Sequence, residues 1–351
     1  MKKYFVFLAS AALLLAASCN KEEVNAVGEK ELITVDINPM TKTSLSGSQT
    51  VWTDGDAVSV TVGGKNIGTL TLVEGNTFSG EIEAGHDGEA VLNYPAGVTA
   101  VPATQAAVEN SFANGAALLE GTATLDNLRA GQGTQLSNKT ALLQFSVAIA
   151  GDVTFQVGSA NYTVTGCETG KTYYACVAPA AGVSFIARIN GYLSKQAASN
   201  KTFTVNQIAP IGELPAPEKF GWGLVGQHQG WNITLPTPMY KVSDKAYGVL
   251  NIKLQSNGFK FAKNGLSNWN TNNTYFGAWK NSGSGYFNYS TEMGVGAWYG
   301  VYTNNLGGQS ENIGVSDFNK SYDVYVKILQ DADWGQELGY TVVEHGTKVT
   351  F

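Results

Sequence analysis

The chain is a succession of short apolar runs cut at close intervals by turn residues, a rhythm that suits strands and leaves little room for helices. Leu32–Ile37, Ala57–Val62, Thr69–Val73, Glu89–Tyr94, Leu142–Ala148, Val153–Val157, Tyr162–Thr165 and Thr172–Ala178 are rich in β-branched and aromatic residues. Asp54-Gly55, Gly63-Gly64, Asp87-Gly88 and Thr169-Gly170 separate several of them, and such pairs supply the left-handed backbone that tight connections need. Runs at this spacing predict antiparallel sandwiches. Residues 102–119 are the main exception, an Ala-rich stretch that reads as one helical turn or a long loop. The fold expected is all-β, with tandem Ig-like antiparallel β-sandwich domains followed by a further β-sandwich at the C-terminal end.

Composition bounds what such a chain can do. With 14% charged residues, 43% hydrophobic residues and 38 aromatics in 351 positions, it has ample material for packed cores. A net charge of -6 without a basic block excludes a nucleic-acid partner, whose phosphates require clustered Lys and Arg. Three Cys and three His, scattered, exclude a disulfide-stapled scaffold and a zinc site of paired spacing. No metal or cofactor is expected.

The N-terminus reads as an address. Lys2 and Lys3 precede the apolar run Tyr4 to Ala17, which is shorter than the roughly 20 residues that span a bilayer. Small residues Ala16, Ala17 and Ser18 then lead to Cys19, the layout of a cleaved export signal over residues 1–18. The arrangement resembles a bacterial lipobox, which implies lipidation of Cys19, although Ala16 stands where a branched aliphatic is usual. Lys21, Glu22 and Glu23 resemble the surface-export tag of Bacteroides-group lipoproteins, and a solvated tether would also look like this. The expectation is a lipid-anchored outer-membrane protein facing the exterior, tethered by residues 19–30. Loss of Lys2 and Lys3 leaves 20 basic against 28 acidic residues, so the acyl chains, not charge, must hold it to anionic lipid.

Two halves differ in composition. Pro210, Pro215 and Pro217 mark an extended connector with little capacity for ladder hydrogen bonds. Beyond it, residues 216–351 hold 23 of the 38 aromatics and six of the seven Trp. Asn268, Asn270, Asn272 and Asn273 crowd around Trp269. Flat rings beside short amides suit carbohydrate, because a pyranose offers an apolar face for stacking and a rim of hydroxyls for hydrogen bonds. Some rings must also be core. The divisions expected are 31–110 and 111–213 for two N-terminal sandwiches and 214–351 for the third.

Two resemblances bear on these halves. Thr41-Lys-Thr-Ser-Leu45, Val51-Trp-Thr-Asp-Gly-Asp56, Tyr94-Pro95-Ala96, Pro102-Ala-Thr-Gln105 and Val205-Asn-Gln-Ile208 make the first half similar to the fimbrillin-type modules of Bacteroides surface lipoproteins. That resemblance implies Ig-like sandwiches used in adhesins, pili and spacers. Trp222-Gly-Leu-Val-Gly226, Gly230-Trp-Asn232, Asn257-Gly-Phe-Lys-Phe261 and Asn268-Trp269-Asn270 make the second half resemble the carbohydrate-binding domains of SusE and SusF outer-membrane proteins. In that family one or two rings and a Lys form the ligand surface, with Arg or Asn nearby. Carried over, this implies Trp231, Lys260 and Trp269, with Asn268 and Asn270 beside them and Tyr247 and Trp279 as further rings. Two positions depart from the family pattern: Tyr247 is the aromatic before the Phe-Lys-Phe strand, and Ala262 replaces a basic residue.

Residue chemistry can be weighed apart from the family. Strand alternation sends Phe259 and Phe261 to one face and Lys260 to the other, so the rings can anchor a core while the ammonium faces solvent or ligand. Trp269 lies in a polar segment without strand periodicity, and Trp231 lies in a turn between Gly230 and Asn232. Trp279 and Trp298 are weaker platform candidates, and Trp222 reads as core.

Catalysis finds less support. Asp331, Asp333 and Glu337 form the best acidic cluster, yet acidic turns between strands are common. His86, His228 and His345 lack the surroundings of a triad, and Asp54-Gly55-Asp56 is not a full Ca²⁺ loop. A two-residue turn at Thr169-Gly170 would leave Cys167 and Cys176 out of register, so a disulfide and two buried thiols both remain open.

The function expected is non-catalytic capture of a polysaccharide or oligosaccharide, α-glucan among the candidates, for a SusC/SusD-like transport complex at the outer membrane. The alternative is a fimbrillin-like adhesin or pilus-associated protein that binds a protein partner.

Overall fold

The computed structural model describes residues 29–39, 52–267, 275–276, 287–288, 299–302, 312–315, 317–332 and 335–351. Strands dominate it. Among the described residues the helices are the single turn Leu125–Arg129 and the 3₁₀ turn Gln227–Gln229.

The first body is a closed barrel in the order Lys30–Pro39, Thr77–Glu83, Lys65–Glu74, Ala57–Val62, Glu89–Tyr94, Leu119–Thr124 and Thr134–Asn138. It closes through a parallel pair that sets Ile37, Asn38 and Pro39 against Thr134, Gln135 and Leu136. Closure removes the exposed strand edges that invite mispairing. Ile33, Val35, Ile37, Val58, Val60, Leu70, Phe78 and Leu92 fill the interior. Trp52 packs against it, donating from Nε1 to the Ile37 carbonyl at 2.8 Å and meeting Phe78 and Tyr94 edge-on at 5.0 Å. Asp56, from the neighbouring acidic turn, accepts from the Thr53 N–H at 2.8 Å and the Tyr94 hydroxyl at 2.9 Å, so both carboxylate oxygens serve the fold.

The second body sets a five-stranded sheet against a three-stranded one. The larger sheet runs Tyr192–Phe203, Ala180–Ile189, Gly151–Val157, Ala160–Cys167 and Thr104–Ala106, and the smaller runs Tyr173–Val177, Ala141–Val147 and Ile208–Leu214. Phe145, Phe155, Tyr173, Phe185 and Phe203 dominate their shared core. The outer face of the smaller sheet meets the barrel: Leu142, Tyr174 and Cys176 join the barrel's core, while Leu143, Phe145 and Ala175 face the other way. Tyr173–Val177 is buried along its whole length, which explains an apolar run without alternation.

Two expectations change here, and two alternatives left open are decided. The division at residue 110 does not separate two bodies, because Leu119–Thr124 and Thr134–Asn138 lie beyond it and complete the barrel. The chain leaves the barrel after Tyr94, pairs Thr104–Ala106 with Ala160–Cys167, and then returns. The connector is partly a strand: Ile208–Leu214 pairs in parallel with Ala141–Val147, tolerating Pro210 because it is an edge strand with a register shift at that point. Residues 102–119 are mainly a loop with a short strand at Thr104–Ala106, the second of the two readings, and the helix lies at Leu125–Arg129, capped by Thr124 and anchored by buried Leu125 and Leu128. Of the two alternatives for Cys167 and Cys176, buried free thiols hold: they lie in different sheets and different cores. Burial pushes both thiols up to about 12.

The third body is a ten-stranded sheet whose best-packed part runs Phe259–Lys263, Lys219–Gly226, Thr237–Ser243, Ala246–Ile252, Tyr322–Ala332 and Gly335–Glu344. One face carries a core of Phe220, Leu224, Met239, Phe259, Phe261, Val324, Val326 and Tyr340, against which Trp222 packs. On the opposite face Tyr192 of the second body packs beside Val242, Ala246 and Tyr325. The Tyr192 hydroxyl accepts from the Leu250 N–H at 3.1 Å, and its ring lies 5.1 Å from that of Tyr240. Of the expected acidic cluster, Asp331 stands opposite Gln336 within the strand Tyr322–Ala332, while Asp333 lies outside the described residues.

Candidate ligand-binding face

The sheet register explains why Trp231 and Lys260 share a face. Phe259 and Phe261 are fully buried in the core, so alternation turns Lys260 and Ala262 to the opposite side. Lys260 stands across from Val225 in the antiparallel pair of Phe259–Lys263 with Lys219–Gly226. Val225, Ala262 and Ile233 form a small apolar cluster there, and Trp231 and Leu266 pack against it. Trp231 and Lys260 therefore lie on one face of the sheet, around this cluster.

Backbone chemistry holds Trp231 in place. The turn Gln227–Gln229 ends with Gly230 in the left-handed region at φ 72°. The Gly230 N–H donates to the Gln227 carbonyl at 3.1 Å and the Trp231 N–H to the Gly226 carbonyl at 2.8 Å, the paired bonds of a Schellman ending. Trp231 is itself left-handed at φ 58°, a conformation that costs a bulky residue on the order of 1–2 kcal/mol. The surrounding amides offset that strain. Gln229 accepts from the Asn232 N–H at 2.6 Å and donates to the Asn232 carbonyl at 2.8 Å. Gln227 accepts from the Asn257 N–H at 2.9 Å, and Asn312 donates to the Asn257 carbonyl at 2.9 Å.

Two glycines permit this joint. A Cβ on Gly226 would lie 2.5 Å from the Gly258 carbonyl oxygen, and one on Gly258 would lie 2.2 Å from the Ile313 carbonyl oxygen. Gly258 is also left-handed at φ 67°. His228 sits behind the loop with Nε2 3.0 Å from the Thr237 hydroxyl and a buried Nδ1 that has no hydrogen-bond partner among the described residues. Desolvation lowers its pKa to about 4, so it contributes no charge at neutral pH.

The remaining expected residues are placed as follows. Tyr247 faces away from Lys260: it is 7% exposed, stacks on Phe220 at 4.3 Å and 16°, and donates its hydroxyl to Glu218 at 2.9 Å. Its position in Ala246–Ile252 puts it on the core side of the sheet, so it packs the core and is corrected from the ligand set. Asn268, Trp269, Asn270 and Trp279 lie outside the described residues, as do Trp298, Cys19, Lys21, Glu22 and Glu23. Gln227 and Gln229 were not singled out from the sequence; the signal was present in the amides flanking Gly230-Trp231.

The other histidines serve local contacts. His345 Nδ1 lies 2.7 Å from Asp323, which also accepts from the Asn251 N–H at 2.8 Å. His86 lies 3.3 Å from Glu83.

No protein-family profile and no curated protein matches this chain. Among solved structures it is similar to a protein of Bacteroides ovatus ATCC 8483 provisionally assigned to cell adhesion, at 15% identity over 52% of this chain and 92% of that one, with a TM-score of 0.33. A fimbrial protein of the same strain matches at 12% identity over 55% of this chain and 53% of that one, with a TM-score of 0.31. A provisionally assigned cell adhesion protein of Bacteroides uniformis ATCC 8492 matches at 15% identity over 52% and 92%, with a TM-score of 0.28. Likenesses of this size carry no argument about ligand or mechanism.

Proposed function

We propose that this chain is a non-catalytic adhesive protein of the cell surface that binds glycan through the face carrying Trp231 and Lys260. The observation that carries the reading is the left-handed Trp231, held by its own turn on the same face of the sheet as Lys260. Strain of this kind persists where the surroundings over-determine it, and it concentrates at binding sites. A ring of this type stacks on the apolar face of a sugar while an ammonium and amide side chains bond its hydroxyls. Each such ring contributes on the order of 1 kcal/mol, so one face binds weakly and gains through repetition along a polymer. Attachment through Cys19 and transfer to a transport complex belong to the same proposal.

A protein ligand is the second reading, favoured by Leu235, which is 72% exposed at the end of the same loop. Native electrophoresis of the full chain through gels containing α-glucan, fructan, xylan, mannan or mucin separates the two. Retardation by one polysaccharide class, lost in Trp231→Ala, supports glycan binding. Unretarded migration in every gel, with the protein folded, contradicts it and favours a protein partner.

A further inference from the structure

A groove of about 500 Å³ lies on the outside of the barrel, in a different body from Trp231. Val58 and Val60 fill the barrel interior, so alternation turns Ser59 and Thr61 outward. Strand register then sets Ser59 beside Asn93 and Asn93 beside Glu120. An outward side chain on a barrel strand usually meets solvent, yet Ser59 is 5% exposed. The loop that follows Tyr94 contributes Val98 and Thr99 to the lining of the groove, and Leu118 joins them. Backbone hydrogen bonds fix this frame. The Ala96 N–H donates to the Ala57 carbonyl at 2.8 Å, the Val98 N–H to the Pro95 carbonyl at 3.1 Å and the Lys139 N–H to the Leu118 carbonyl at 2.7 Å.

The polar groups of the lining have hydrogen-bonding capacity to spare. The Ser59 hydroxyl donates to the Asn93 carbonyl at a long 3.4 Å and, among the described residues, accepts from no donor. The Thr61 hydroxyl and the Asn93 side-chain amide make no hydrogen bond among the described residues, although both residues are half-buried. Polar groups drawn out of water without partners are costly, and a ligand that supplies donors and acceptors relieves that cost. Glu120 and Lys139, the charged residues of the lining, pair with each other at 2.8 Å, so the groove offers no net charge to an ion. Ala57–Val62 and Glu89–Tyr94 are each hydrogen-bonded to a strand on both sides, so no open ladder is there for a peptide. The volume falls within the range of about 300–1,000 Å³ usual for small-molecule sites.

We infer that this groove binds a neutral sugar ring. The hydroxyls of the ring meet Ser59, Thr61 and Asn93, each of which can donate and accept, and Val98 and Leu118 receive its apolar C–H surface. The site shares no residue with the Trp231 face, so either can fail alone.

The test is calorimetric titration of the full chain carrying Trp231→Ala, which removes the ring of the first face, with D-glucose, D-galactose, N-acetyl-D-glucosamine and sodium glucuronate. Saturable binding of at least one neutral sugar, tighter than glucuronate, is expected. Asn93→Ala should weaken it at least fivefold and Thr61→Val severalfold. Thr61→Val guards against misfolding of the Asn93 variant, because it keeps a β-branched side chain at a half-buried strand position. Glucuronate binding as tight as that of the neutral sugars would overturn the neutral ligand. Sugar binding unaffected by both substitutions would overturn the site, and no saturable binding by a folded chain would overturn the proposal as a whole.

Discussion

Lys260 stands directly opposite Val225 on the face of the sheet that carries the Val225, Ile233 and Ala262 cluster, while Phe259 and Phe261 on either side of it are fully buried on the other face. Ligand surface and core thus share one five-residue strand and are separated by alternation alone. Lys260 is half-buried, so Lys260→Met should change the unfolding free energy by less than the core substitution Phe261→Ala does. Phe261→Ala should cost about 3–5 kcal/mol by leaving a cavity. Urea unfolding followed by tryptophan fluorescence checks both.

Trp231 gives a test of strain. Trp231→Ala and Trp231→Gly lose the same indole, and they differ in the left-handed backbone at φ 58°. Gly adopts that conformation freely, so the Gly variant should be more stable than the Ala variant by about 1 kcal/mol. Equal stabilities, measured by thermal unfolding, would show that the turn relaxes when the ring is removed.

Gln105 joins the two N-terminal cores. It is buried, accepts from the Cys176 N–H at 2.9 Å and donates to the Cys176 carbonyl at 2.7 Å, so its amide imitates a neighbouring strand. Gln105→Leu strands both backbone groups and should cost about 2–4 kcal/mol. A shift in denaturation midpoint of that size, with an unchanged slope, is the expected readout. A loss below about 0.5 kcal/mol would mean that water replaces the amide.

His228 links stability to pH. Its folded pKa is lowered to about 4 by desolvation, against about 6.5 in an unfolded chain. Between those values the unfolded state takes up a proton that the folded state refuses, so stability is full above about pH 6.5 and falls as pH drops toward 4. Equilibrium unfolding across that window should show a steeper loss for the native chain than for His228→Asn. Parallel curves would mean that His228 titrates alike in both states.

The sequence made much of this architecture legible, and the gaps have physical causes. A strand such as Glu89–Tyr94 was readable because burial on one side leaves an alternating pattern. Ile208–Leu214 was hidden by Pro210, since an edge strand tolerates a missing donor that a central one does not. The boundary at residue 110 failed because barrel closure is a long-range pairing that no local composition reports. In the candidate face, alternation alone oriented Lys260. Tyr247 was misplaced because its position relative to Phe259–Lys263 follows from strand order, which puts Lys219–Gly226 and Thr237–Ser243 between them. The left-handed turn at Trp231 was visible only as a Gly beside amides.

The most direct test of glycan binding is calorimetric titration of the full chain with the polysaccharide that retards it, repeated with Trp231→Ala and Lys260→Met. The account predicts saturable weak binding, with a Kd in the range of about 10 μM to 1 mM, reduced at least fivefold in each variant while the fold is retained. Binding that survives both substitutions, or no heat of binding from a folded chain, would contradict it.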